Sequence, residues 1–123
     1  MEYKESILQE HFCHWLDAKH ILYNASMAGV NLGIRVAVRR KRMGAKRGFP
    51  DLFIYQPAGA WHGLALELKA GKGATSPEQH DWQEALEKQG YKALIMPGNL
   101  NLPEALKWLQ DEVERYLLTE INI

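Results

Sequence analysis

Two acids and a base interrupt an otherwise apolar stretch of the chain. Pro50 to Lys69 read PDLFIYQPAGAWHGLALELK, with Asp51 at the start of one apolar run and Glu67 and Lys69 at the end of the next. The runs read as two strands joined by the turn residues of PAGAW. In the second strand Leu64, Leu66 and Leu68 take one face, while Ala65, Glu67 and Lys69 take the other. Antiparallel pairing about Gly59 sets Asp51 opposite Glu67 and Leu52 opposite Leu66; a bulge would shift that register. Opposed carboxylates ~5 Å apart at an effective dielectric of ~20 repel by roughly 3 kcal/mol. Lys69 offsets part of that cost, and a hard divalent cation, which prefers carboxylate oxygens and water, offsets more. The alternative is a structural Asp–Lys–Glu network at a sheet end.

Other segments supply the frame for this hairpin. YKESILQEHFCHWLDAK places Leu8, Phe12, Trp15 and Leu16 on one helical stripe, and the short ILYNAS after it is of open type. GVNLGIRVAVRRKRMGAKRG reads as a loop, a basic helix ending near Gly44, and a second loop. SPEQHDWQEALEKQG is a bounded helix: Ser76 is the N-cap, Pro77 the first helical residue, Gln79 completes a capping box, and Gly90 ends it. YKALIMP is a strand. LPEALKWLQDEVERYLL is a helix with Leu106, Leu109, Val113, Tyr116 and Leu117 on one face. This order predicts a single α/β domain over residues 1–123 with a mixed central sheet flanked by helices.

The 123 residues suit one domain, and no apolar run approaches the ~18–20 residues of a membrane span. MEYKESILQE lacks a secretory pattern, and the one cysteine, Cys13, cannot form an internal disulfide, so an intracellular location is expected. Fifteen basic residues balance fifteen acidic ones, but not evenly along the chain. Ala18 to Pro50 contains no acid, while Arg35, Arg39, Arg40, Lys41, Arg42, Lys46 and Arg47 all fall there. Such a segment can present a positive field to phosphate backbones at zero net charge, or act only as a solubilising face.

The combination of Pro50-Asp51 with Glu67-Leu68-Lys69 in apolar strands, followed by a helix, resembles the PD-(D/E)xK nuclease superfamily. It is most similar to that superfamily's virus-type replication-repair nuclease family, VRR-NUC. The matching pieces are Glu5 with Gln9, Gly48-Phe49-Pro50-Asp51-Leu52, Glu67-Leu68-Lys69, and Ser76-Pro77-Glu78-Gln79 with Trp82 and Gly90. The resemblance implies a restriction-endonuclease-like core. It makes Asp51, Glu67 and the Leu68 carbonyl ligands of Mg²⁺ or Mn²⁺, with Lys69 acting on the attacking water and the phosphate charge. It also implies an active-site acid in the first helix. Glu5 projects near Leu8 and Phe12 on the stripe facing the sheet, whereas Glu10 lies opposite, so Glu5 is chosen. Gln79 becomes an active-site contact as well as a capping residue.

From these readings the expected function is hydrolysis of DNA phosphodiesters by a metal-dependent endonuclease. Arg35, Arg39, Arg40, Arg42, Lys46 and Arg47 would hold the DNA backbone. Family resemblance suggests branched DNA such as Holliday junctions, a homodimer, and the cytoplasm of a bacterial or phage-infected cell. The rival readings are a catalytically silent DNA-binding module with the same fold and a plain interaction domain. Two other motifs are set aside: GKGATS lacks the phosphate-loop spacing, and His11, Cys13, His14 and His20 form no convincing zinc pattern.

Overall fold

The computed structural model describes residues 3–27, 33–71 and 74–119. The loop expected before the basic helix lies mostly outside these residues, as do Lys72 and Gly73 of GKGATS. The elements run α1 (Glu5–Ala18), β1 (Tyr23–Ala25), α2 (Ile34–Arg42), β2 (Leu52–Ile54), β3 (Leu64–Glu67), α3 (Pro77–Lys88), β4 (Lys92–Ile95) and α4 (Leu102–Leu117). ILYNAS, left open above, supplies β1, whose Tyr23 and Ala25 pair with Ile54 and Leu52.

The sheet order is β1-β2-β3-β4, antiparallel for the first two pairs and parallel for the last. Helix α3 bridges the parallel pair, as a crossover between parallel strands requires. Leu52, Ile54, Leu64 and Leu66 turn one sheet face toward Leu8, Phe12 and Leu16 of α1 and Leu109, Val113 and Tyr116 of α4. All of these side chains are essentially sealed from solvent, and they form the hydrophobic core. Tyr116 adds a polar tie, its hydroxyl donating to the Gln56 carbonyl at 2.7 Å. Helix α3 has no buried residue and lies over β4 on the opposite face, where Gln83 Nε2 donates to the Ala93 carbonyl at 3.0 Å.

The β2–β3 register places Leu52 against Leu66, Phe53 against Ala65 and Ile54 against Leu64, the pairing expected from a turn about Gly59. The tip reaches it indirectly. Ala58 and Trp61 exchange backbone hydrogen bonds of 3.2 and 2.9 Å around Gly59 and Ala60. Continued unbroken, that two-residue tip would slide Asp51 opposite Leu68. The three residues Tyr55, Gln56 and Pro57 face only His62 and Gly63, and this one-residue excess restores the register that brings Asp51 to Glu67.

Candidate active site

Alternation along β2 and β3 carries Asp51, Glu67 and Lys69 to the α3 side of the sheet, at the end of the strands where α3 begins. Glu67 and Lys69 are each 7% exposed, a degree of burial that charged side chains tolerate only with partners. Asp51 is half-buried, and its Oδ2 accepts from the Leu68 N–H at 2.8 Å. Leu68 therefore enters the site through its backbone while its side chain fills the core.

Gln79 joins the remaining groups. Its Oε1 accepts from Lys69 Nζ at 2.7 Å and from the Ser76 N–H at 3.0 Å, while its Nε2 donates to Glu67 Oε1 at 2.5 Å. The Ser76 hydroxyl accepts from the Gln79 N–H at 3.2 Å, so the expected capping box is present. One amide thus caps α3, orients the Lys69 ammonium and holds Glu67. The Ala74 carbonyl accepts a second hydrogen bond from Lys69 Nζ at 3.3 Å, a contact with no signal in the sequence beyond the loop length.

The carboxyls of Asp51 and Glu67 lie within hydrogen-bonding reach of one another. Burial pushes the Glu67 carboxyl up to about 8, and the charge of Asp51 adds to this against the opposing pull of Lys69. Burial also raises Asp51, opposed by the Leu68 N–H, the Glu67 contact and Lys69. Burial and the proximity of the two carboxyls both favour a proton shared by the pair when no cation is bound.

Glu67 Oε2 is buried with no hydrogen-bond donor directed at it. A buried carboxylate oxygen without a donor favours a proton or a cation. A donor set of two carboxylates is of the hard oxygen type that a divalent ion such as Mg²⁺ prefers. Among the described residues no three His, Cys, Asp or Glu side chains are gathered to hold a metal between them, so Glu5 does not join Asp51 and Glu67 as a close third.

Glu5 opens α1 and is exposed as a residue, yet its carboxyl is pushed up to about 6. Loss of solvent is the main cause, the charge of Asp51 adds to it, and Lys69 opposes it. Glu5 therefore senses the site electrostatically from its rim. Glu10, one and a half turns along, is exposed.

The basic insert leaves β1 and returns at β2 beside the same site, because the Ser26 N–H donates to the Asp51 carbonyl at 2.9 Å. Helix α2 buries no residue and projects Arg35, Arg39 and Arg42 into solvent. Arg40 is half-buried and reaches the Met27 carbonyl at 3.5 Å. Lys46 and Arg47 are exposed where the insert returns to the fold. None of these cations enters the hydrogen-bond network of Glu67, Lys69 and Gln79.

The return is clamped to α3. Trp82 Nε1 donates to the Arg47 carbonyl at 3.1 Å, and the Trp82 and Phe49 rings meet edge to face at 4.9 Å. Gly48 adopts φ +81°, and a Cβ there would stand 2.6 Å from Glu78 Cβ. Only glycine accommodates both that backbone and that approach. The Arg47–Trp82 bond was not foreseen, although Trp82 follows Gln79 by one helical turn.

A mixed sheet of four strands flanked by four helices, with acids and a lysine at the strand ends, is an α/β nuclease-like core. The VRR-NUC domain family matches residues 1–99, and the chain belongs to that family. A solved structure described as a VRR_NUC domain protein shares the fold at a TM-score of 0.72 and 24% identity, covering 99% of this chain and 95% of that one. Helix α4, beyond the family match, thus has a counterpart in the fold of this neighbour. No curated protein matches the sequence. Among the described residues no helix is long and apolar enough to cross a membrane.

Proposed function

We propose that this VRR-NUC domain is a Mg²⁺- or Mn²⁺-dependent endodeoxyribonuclease selective for branched DNA such as Holliday junctions, serving replication, recombination or repair. The observation that carries the reading is the pairing of half-buried Asp51 with buried Glu67, with an undonated oxygen on Glu67 and the Lys69 ammonium fixed beside it by Gln79. Asp51 and Glu67 would hold the cation, with the Leu68 carbonyl as a third oxygen. When bound, a divalent ion polarises a phosphoryl oxygen and eases attack by water at neutral pH.

The chain's own residues prepare that step. The Leu68 N–H fixes the rotamer of Asp51, and Gln79 Nε2 fixes Glu67. Two hydrogen atoms of the Lys69 ammonium are committed to Gln79 and Ala74. The third remains to meet a phosphate oxygen, and the full charge stabilises the pentacoordinate phosphorane-like transition state. Glu5, at the rim, would orient or relay a proton to water approaching the pair. The arginines of α2, with Lys46 and Arg47, would track the DNA backbone and contribute affinity and register rather than sequence choice. A homodimer would present two such sites to a two-fold substrate.

A metal-dependence panel tests this reading: junction, flap, single-stranded and duplex DNA with Mg²⁺, Mn²⁺ or EDTA. Wild type is compared with Asp51→Asn, Glu67→Gln and Lys69→Ala. Cation-dependent cleavage lost in all three variants is the expected result, and cleavage surviving Glu67→Gln sinks the assignment. One rival is a silent DNA-binding module with the same fold, in which the exposed cations of α2 bind DNA without cleavage. Salt-sensitive binding without cleavage would support it.

A further inference from the structure

A cleft of about 400 Å³ runs along α3 beside the candidate site, lined by Lys46, Arg47, Glu78, Asp81, Trp82 and Ala85. Glu78, Asp81, Trp82 and Ala85 recur at helical spacing and form one face of α3, about 10 Å long. Lys46 and Arg47 complete the lining. Cations and carboxylates thus share the cleft, yet among the described residues no ion pair joins them. Its lining is mostly apolar, and Trp82 and Ala85 are the apolar residues in it.

Residues next to the cleft lining tie it to the elements that carry the carboxylate pair. Gly48 packs against Glu78 and the Gln79 backbone, and the Arg47 carbonyl holds Trp82 Nε1. Only Phe49 and Pro50 separate Gly48 from Asp51, and Gln79 is itself the partner of Glu67 and Lys69. A ligand that spans both regions needs a phosphate at one end and a flat, amine-bearing ring at the other.

We propose that this cleft is a subsite for one unpaired nucleotide of the substrate strand, flanking the scissile phosphate. Its base lies on Trp82 and Ala85, Asp81 or Glu78 accepts from its exocyclic amine, and Lys46 and Arg47 meet its phosphate. A paired base cannot enter, because its amine and ring faces are already engaged in the duplex. The subsite therefore gives the domain a preference for strands unpaired beside the cut, such as flaps, gaps and junction cores that open. This rests on the nuclease reading for the direction in which the strand lies.

The test uses binding, read by fluorescence anisotropy in EDTA, so that it does not depend on cleavage. Ala85→Leu fills the cleft from α3 and, as an exposed helical change between good helix formers, should keep the melting temperature within about 2 °C. A flap substrate is scanned with single abasic positions. Removing the critical base is expected to weaken wild-type binding about tenfold. Ala85→Leu should weaken the intact flap comparably, with no further loss when both changes are combined. Its effect on blunt duplex should be at least several-fold smaller.

Thymine at that position should bind less well than adenine or cytosine, and Asp81→Ala should erase the difference. Additive losses, or equal losses on flap and duplex, would overturn the subsite. So would an abasic scan without a sensitive position. A failed nuclease reading shows itself separately, as absence of metal-dependent cleavage with the binding cycle intact.

Discussion

Asp51 and Glu67 stand on antiparallel neighbouring strands, and their carboxyls meet across the β2–β3 pair within hydrogen-bonding reach. The Leu68 N–H holds one of them and Gln79 Nε2 holds the other. Two acids are thus kept together in a place where, without a proton or a cation, they destabilise the fold.

That arrangement makes metal-free stability depend on pH. The Glu67 carboxyl rises from an ordinary 4.5 to about 8, and Glu5 from 4.5 to about 6. The native state therefore binds more protons than the unfolded chain across this window. Stability is full below the ordinary carboxyl range and falls as pH rises from about 5 to about 8. Thermal melts in EDTA should show a melting temperature several degrees lower at pH 8.5 than at pH 5.5, with Mg²⁺ or Mn²⁺ restoring much of it at the higher pH. Glu67→Gln should flatten the profile.

Gln79→Ala should separate orientation from charge. It removes one hydrogen bond from each of Lys69 and Glu67 and half of the α3 capping box. We expect cleavage to fall about 10–100-fold and stability by about 1 kcal/mol. Ser76→Ala should cost similar stability but less activity, because it leaves the Gln79 amide in reach of both partners. Single-turnover rates and urea denaturation check the pair, and equal loss of rate in both variants would assign Gln79 to capping alone.

Gly48→Ala tests the seam between the Asp51 strand and α3. A left-handed backbone and a Cβ 2.6 Å from Glu78 Cβ leave no room for a methyl group without movement. A destabilisation of about 1–3 kcal/mol is expected, together with reduced activity as Asp51 shifts against Gln79. Denaturant midpoints measured beside cleavage rates decide it, and a wild-type midpoint would mean that the seam gives freely.

Replacing Arg39 and Arg40 together by Ala should disturb the fold little, since α2 buries no residue and Arg40 gives up only a long hydrogen bond of 3.5 Å to the Met27 carbonyl. DNA affinity should drop, and the slope of log affinity against log salt should flatten by about 1–2. A salt titration with a labelled duplex measures this. An unchanged slope would remove α2 from the DNA interface.

Much of this protein was legible from local pattern. The stripe of Leu8, Phe12 and Leu16, the leucine alternation of β3, and the Ser76–Gln79 capping box all appear where the sequence places them. Each is decided within one helical turn or one pleat, so the information is local. ILYNAS was ambiguous because β1 has only three residues and is stabilised by its partner strand rather than by its own propensity.

By itself, then, the sequence determined which side chains could do the chemistry and which face of each element would carry them. Binary patterning in strands and helices is a short-range property, and it puts Glu67 and Lys69 on one face of the second hairpin strand and Gln79 in the α3 capping box. The roles of Asp51, Glu67, Lys69 and Gln79 as a site are what the family resemblance implies. Only the tertiary structure decided how they meet. The hairpin tip alone would have placed Asp51 opposite Leu68, and one additional residue among Tyr55, Gln56 and Pro57 returned it to Glu67. The structure likewise drew Lys46 and Arg47 up to Trp82, about 35 residues away in the chain. Such contacts depend on loop closure and packing between distant segments, a balance that no local pattern encodes.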